Sequence, residues 1–292
     1  MSQEIEWRDE YNVGCEYVDN AHRKLFSVIR KLVALCRDKD FEMNRFGCEE
    51  TIKFLHNYTQ THFAQEEGFM REVDYKGYPM HKHLHDTLRE ETLPMLEAKL
   101  AESNYSKEAI SEFVGVFVGW LTGYILVEDQ AITGKAVSLY NLDHTSGRLS
   151  ALRKETERVL KSFTGSEITL VSDRYTGDPI PDALYYEMQY EKVRVLFIAE
   201  KNFIFQIIGS ILGYIPTVMD KNVLFAYVQL VDNFVGPALT IFKSEAVSSE
   251  HKKQVISEEQ LTKYYEEDNP ECSIEWKTKY GCFAIAILDI NS

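Results

Sequence analysis

Between residues 18 and 130 the apolar side chains recur at helical spacing in four stretches, roughly 18–38, 43–70, 80–101 and 107–130, with only short connections between them. The connections "DKDFEMN", "YKGYP" and "AESNYS" carry the breaking residues, and Ser106 stands as a cap with Glu108 in the turn that follows. Long helices joined by short loops run antiparallel to their neighbours, so this half of the chain is predicted to be an up-down-up-down, all-α four-helix bundle. The pattern changes after "ITGK" and the polar "NLDHTSG". Residues 1–135 are therefore assigned to the bundle, 136–146 to a linker and 147–292 to a second domain.

The second domain reads as α+β. A helix over 147–163 presents Leu149, Leu152, Val159, Leu160 and Phe163 on one side, and the runs "EITLVSD", "ALYYEMQYE" and "KVRVLFIA" then have strand character. Helical stretches near 201–213 and 219–243 follow, and 244–260 reads as a polar, partly helical connection. The segment "CSIEWKTKYGCFAIAIL" is predicted to be a hairpin turning near Lys279 to Gly281. Cys272, Ile274 and Trp276 alternate with polar residues, whereas 282–288 is apolar throughout, so the last strand is expected to be buried on both faces.

Charge and composition set the partner class. A formal net charge of -14 over 292 residues repels phosphates, which excludes nucleic acid and an anionic membrane surface. No run of eighteen apolar residues occurs, and the opening "MSQEIEWRDE" lacks the basic and apolar regions of a signal peptide, so a soluble, cytoplasmic protein is expected. Cys15, Cys36, Cys48, Cys272 and Cys282 are odd in number and contain no CxxC pair, and they are read as reduced, packed thiols.

Chemistry concentrates in the predicted bundle. A spacing of four puts His62 with Glu66 on one helix face, and His81 with His85 on another. His22 on the first helix and Asp129 on the fourth complete a set that facing helices can bring together in the core. Imidazole with carboxylate suits iron, zinc or manganese, and a carboxylate can bridge two ions. His56 is read as a surface or core histidine and His83 as solvated, while His144 and His251 sit in polar connections. Phe63, Met70, Trp7 and Trp120 are assigned to the core, and Glu67 is expected to face away from the metal as a solvated charge.

The stretches "IEWRDEYNVGCEYVDNAHRKLF", "HFAQEEGFM", "YPMHKHLH" and "WLTGYILVEDQAITG" resemble the bacterial hemerythrins in motif, order and spacing over about residues 4–135. That resemblance implies a non-heme di-iron site: Glu66 and Asp129 bridging, His22 and His62 on one iron, His81 and His85 on the other, and an open position for oxygen on the iron with only two histidines. The family's fifth histidine falls on Tyr124. Three readings of Tyr124 stand: it ligates as a phenolate, it fills space beside the cluster, or the domain has lost its metal. A phenolate replacing a neutral imidazole favours the diferric state, which argues against oxygen carriage and for sensing.

In the second half, "YVQLVDNFVGPAL" places Gln229 and Asp232 three apart on a helix that bends or ends at Gly236 and Pro237. The layout over about 146–290 resembles the CheC and CheX chemotaxis phosphatases. Gln229 and Asp232 fall where that family has an acid and then an amide, so the two chemical types are exchanged here and catalysis is in doubt. The expectation is an oxygen- or redox-sensing di-iron protein with a signalling output domain. Its expected partners are dioxygen or another small diatomic ligand, a chemotaxis response regulator or kinase, and a second copy through the second domain. The alternatives are an oxygen or iron store with a dimerising second domain, a response-regulator phosphatase, and a di-iron peroxidase or oxidase.

Overall fold

The computed structural model describes residues 7–37, 41–136, 148–190, 192–212, 215–242 and 250–290. The expected linker at 136–146 lies outside the described residues apart from Ala136. Two compact units emerge. One contains the described residues up to Ala136 together with 211–212 and Asp220–Leu230; the other contains 148–210, 215–219 and the residues from Val231 onward.

The helical unit is built from α1 (Glu16–Arg37), α2 (Phe41–Glu72), α3 (Tyr78–Thr87), α4 (Leu93–Glu102), α5 (Lys107–Tyr124) and the short α6 (Gln130–Ile132). α1 packs on α2 and α5, α2 on α3, and α4 on α5. Ahead of α1, the carboxylate of Asp19 accepts from the backbone N–H groups of Val13 at 2.6 Å and Gly14 at 3.2 Å. The Thr133 hydroxyl donates to the Val13 carbonyl at 2.6 Å, so the entry to α1 is tied to the end of α6. Gly14 has a φ of 104°, a backbone state that favours glycine and lets both amides turn toward one carboxylate.

Two of the predicted helices are not regular. Leu88–Thr92 between α3 and α4, and Ile125–Asp129 between α5 and α6, are π-helical turns. The second lies between Tyr124 and Asp129. In a regular α-helix, residues five apart point about 140° from each other. A turn closed by i→i+5 hydrogen bonds absorbs one extra residue and returns both side chains to the same side.

The sheet unit holds α7 (Arg148–Thr164), β1 (Thr169–Ser172), β2 (Ala183–Tyr190), β3 (Val193–Glu200), α8 (Lys201–Leu212), α9 (Lys221–Phe242), β4 (Glu250–Ile256), α10 (Glu258–Glu267), β5 (Asn269–Thr278) and β6 (Gly281–Asp289), less the parts of α8 and α9 that group with the helical unit. The six strands form one antiparallel sheet in the order β1-β5-β6-β3-β2-β4. Alternate residues of β3 and β6 serve opposite faces. Leu196, Ile198, Ala284, Ala286 and Leu288 pack with Leu261 of α10. Phe197 and Phe283 pack together, and Phe283 also meets Phe203 of α8 and Trp276 of β5. Cover on both sides explains the unbroken apolar run of β6.

One expectation is corrected here. Within the stretch read as a polar, partly helical connection, Glu250–Ile256 is a strand paired with β2, and a helix starts at Glu258 behind a capping box of Ser257 and Gln260. β4 is an edge strand, and its exposed Lys252 and Lys253 are the kind of residue that keeps an edge from pairing with another chain. Its charge therefore disguises it as a solvated loop. Residues 243–249 lie outside the described residues. Cys15, Cys48 and Cys272 are buried free thiols, and Cys282 is partly buried.

Candidate metal centre

Four α-helices and one π turn deliver donors to one buried point. His22 comes from α1, His62 and Glu66 from α2, His81 and His85 from α3, Tyr124 from the end of α5 and Asp129 from the π turn after it. All seven are at most 5% exposed. The histidines arrive as two pairs. Nε2 of His22 and Nε2 of His62 lie 3.0 Å apart. Two nitrogens bound at about 2.1 Å to one ion and at right angles would stand about 3 Å apart. On the other side, the Tyr124 hydroxyl lies 2.5 Å from Nε2 of His85 and also contacts Nε2 of His81.

The carboxylates stand between the pairs. Asp129 turns Oδ2 toward His22 and Oδ1 toward His81, each at 3.3 Å. Glu66 Oε2 is 3.6 Å from His62, 3.2 Å from His85 and 3.9 Å from His81. His22, His62 and Glu66 form one potential cation site, and Glu66, His81 and His85 form another, with Glu66 common to both.

The residues fit a cation on their own chemistry. Both oxygens of Glu66 and both of Asp129 are buried without a hydrogen-bond partner, which leaves their lone pairs open to a cation. Burial lowers His22 to about 3 and His62 to about 4, helped for His22 by its neighbour His62, so both stay neutral with lone pairs available. His85 is lowered for the same reason. Burial opposes the charge on Glu66, yet the surrounding histidines outweigh it and hold this carboxyl well below its ordinary value. Burial would also lower His81, but the carboxylates of Asp129 and Glu66 raise it to about 10. Asp129 and Tyr124 are both pushed well up, by burial first; the next cause is Glu66 for Asp129 and Asp129 for Tyr124. Without a cation, protons therefore gather on His81, Asp129 and Tyr124.

Packing fixes the rings. Phe63 stacks on His85 with centroids 3.7 Å apart and planes 8° from parallel, and Trp120 stacks on Tyr124 at 4.7 Å and 13°. Phe63, Met70 and Trp120 are buried as expected, and Trp7 is half-buried, 6.2 Å from the ring of His22. His83 is exposed, and His56 is half-buried against Glu97 at 3.1 Å. His144 lies outside the described residues.

Glu67 contradicts its assignment as a solvated charge. It is 9% exposed, and its Oε1 lies 3.3 Å from Nδ1 of His85. One residue along α2 from Glu66, it is rotated by about 100°. That turn directs it to the outer nitrogen of the ring whose inner nitrogen faces Glu66. With its proton on Nδ1, His85 donates to Glu67 and keeps the Nε2 lone pair aimed at the centre.

The two residues singled out on α9 have other settings. Gln229 is half-buried. Asp232 accepts from Lys253 Nζ at 2.8 Å and from the Tyr186 hydroxyl at 3.4 Å, so its carboxylate is engaged within the sheet unit.

Comparison with known proteins bears on the helical unit. Residues 13–136 match the family model described as the hemerythrin HHE cation binding domain. A bacteriohemerythrin of Clostridium acetobutylicum is 29% identical over 126 residues, covering 42% of this chain and 95% of that protein. Another from Stenotrophomonas maltophilia is 27% identical over 163 residues, covering 54% of this chain and 97% of its own. A hemerythrin from Sipunculus nudus is 35% identical over 80 residues, covering 27% of this chain and 58% of its own. Among solved structures, chemotaxis protein CheX from Vibrio vulnificus aligns with 50% of this chain and 99% of its own, at 15% identity and a TM-score of 0.33, too slight a likeness to carry a functional conclusion. Among the described residues no helix is long and apolar enough to cross a membrane. The buried imidazoles and carboxylates of this centre all lie within residues 13–136, the stretch that matches the hemerythrin HHE cation binding domain.

Proposed function

We propose that the helical unit, as an up-down four-helix bundle, holds a carboxylate-bridged pair of non-heme irons and reports oxygen or redox state to signalling partners through the sheet unit. His22 and His62 would hold one iron, His81, His85 and Tyr124 the other, with Glu66 and Asp129 shared. When bound, the irons supply one-electron chemistry and a place for a small diatomic ligand.

The observation that carries this reading is the position of Tyr124, whose hydroxyl meets Nε2 of both His81 and His85. A phenol there acts as a donor once its proton leaves, and it brings a negative charge where a histidine would be neutral. Extra negative charge favours the more oxidised metal. Trp120 holds the phenol ring in place by stacking, and Glu67 holds His85. A protein built to carry oxygen reversibly needs a long-lived reduced state, which this donor set disfavours. The output side remains with the sheet unit, where the ion pair of Asp232 with Lys253 supports a docking role over a catalytic one. A chemotaxis response regulator or kinase is the partner class proposed from the sequence of that region.

Iron analysis and visible spectra of the purified protein, taken without oxygen and then in air, test the reading. The expected result is two irons per chain and a phenolate-to-ferric charge-transfer band that vanishes in Tyr124→Phe. A band unchanged by that substitution removes Tyr124 from the ligand set, and a protein that takes up no iron overturns the whole reading. A stable, reversible oxygen adduct would turn it toward storage.

A further inference from the structure

The two halves of the donor set are unequal. The His81 and His85 side has a third side-chain donor in Tyr124, whereas the cluster of His22 and His62 gains only the shared carboxylates among the described residues. An exogenous ligand therefore has room to complete coordination on the His22 and His62 side.

Tyr58 stands on that side. It sits one helical turn before His62 on α2, and its ring packs against the His62 ring with centroids 4.8 Å apart. Phe54 also stacks on it, at 5.6 Å and 28°. The side chain is 9% exposed, and its hydroxyl is buried without a hydrogen-bond partner. A phenol in such a place has given up its hydrogen bond to water with nothing in return, at a cost of about 1–3 kcal/mol. A phenylalanine would fill the same space without that loss. The ring contact with His62 sets this phenol beside the donor set.

We propose that the Tyr58 hydroxyl is a specificity-determining hydrogen-bond donor to the exogenous ligand, favouring small ligands that present an acceptor atom, above all small anions. This rests on the metal reading given above. Tyr58 touches the ligand and no metal, so removing its oxygen leaves every metal donor in place. The trade has two signs. Tyr58→Phe relieves an unsatisfied polar group in the ligand-free protein, and it removes a contact in the liganded one.

Azide is the probe. Full-length iron-loaded wild type and Tyr58→Phe are titrated with azide, followed by visible absorption, with iron measured in both. The expected result is equal iron content, about tenfold weaker azide binding in Tyr58→Phe, and thermal stability of the metal-free variant equal to or above wild type. Infrared spectra give a second readout: the azide stretch of wild type shifts in deuterated water, and Tyr58→Phe abolishes that shift. Iron bound equally with unchanged azide affinity and no deuterium-sensitive stretch in wild type overturns this inference alone. Absence of iron from wild type overturns the metal reading and this inference with it.

Discussion

Glu66 in the helical unit and Glu187 in the sheet unit are both fully buried, and the chain treats them in opposite ways. Glu187 accepts from Arg194 Nε at 2.7 Å, from Gln254 Nε2 at 2.5 Å and from the Tyr264 hydroxyl at 3.2 Å. Arg194 also pairs with Asp268 and lies over the Tyr264 ring, 3.5 Å from its centroid. Glu66 has three imidazole nitrogens within 3.9 Å and no hydrogen bond to either oxygen. The same buried charge is held in one place by a guanidinium, an amide and a hydroxyl, and in the other only by imidazole rings. A buried carboxylate that the fold leaves unsatisfied is the better indicator of a site.

The sharpest way to break that contrast is to remove a partner from each. Arg194→Met leaves Glu187 and Asp268 without their guanidinium, and chemical denaturation should show a loss of about 3–5 kcal/mol. Glu66→Gln in the metal-free protein should cost less, about 1–3 kcal/mol, since its imidazole neighbours stand 3.2–3.9 Å away where Arg194 reaches Glu187 at 2.7 Å. The same variant should lose bound iron and the rise in melting temperature that iron confers on wild type. If Glu66→Gln unfolds the metal-free protein as readily as Arg194→Met, the carboxylate is structural and the contrast fails.

Proton competition comes next. His81 is raised to about 10 and Tyr124 is pushed well above its ordinary value, so both hold protons at neutral pH in the metal-free protein. A cation can bind them only by expelling those protons, so affinity rises with pH and falls as pH drops. Metal titrations between roughly pH 6 and 8 should show affinity changing about tenfold per pH unit for each proton released. A flat profile would mean that neither group takes part in binding.

Much of this centre was legible in the primary structure. Pairs spaced by four, His62 with Glu66 and His81 with His85, declare a shared helix face, and the structure brings them together with His22, Tyr124 and Asp129. What stayed hidden lies off the ideal periods. A template of 3.6 residues per turn has no place for the π turn of Ile125–Asp129, which returns Tyr124 and Asp129 to one side. Glu67 was misread because rotation away from Glu66 was equated with solvent, although a histidine ring presents a second nitrogen a layer farther out. β4 escaped because an edge strand with paired lysines lacks the alternation of a half-buried one. Tyr58, four residues before His62, had the same helical spacing as the recognised pairs and was the missed signal.

Glu67 offers an intermediate test. Glu67→Gln keeps the shape of the side chain but removes the charge that fixes the Nδ1 proton of His85. Losing such a partner typically weakens metal affinity by about 10–100-fold. Competition with a chelator should show a loss in that range while the folded state survives; equal affinity would reduce Glu67 to a helix-surface contact with Arg71, which lies 3.9 Å away.

The smallest effect belongs to the ion pair that looks most functional on α9. Lys253 and Asp232 are 2.8 Å apart, but their side chains are 32% and 16% exposed, and water screens much of the attraction. Lys253→Met should therefore cost under about 1 kcal/mol in chemical denaturation, several times less than Arg194→Met in the same sheet. Both pairs join a basic residue to an acid, but Arg194 is the more deeply buried and holds two acids where Lys253 holds Asp232. If Lys253→Met proves as costly as Arg194→Met, Asp232 is a structural anchor of the β4 edge, and its place in a docking surface must be given up.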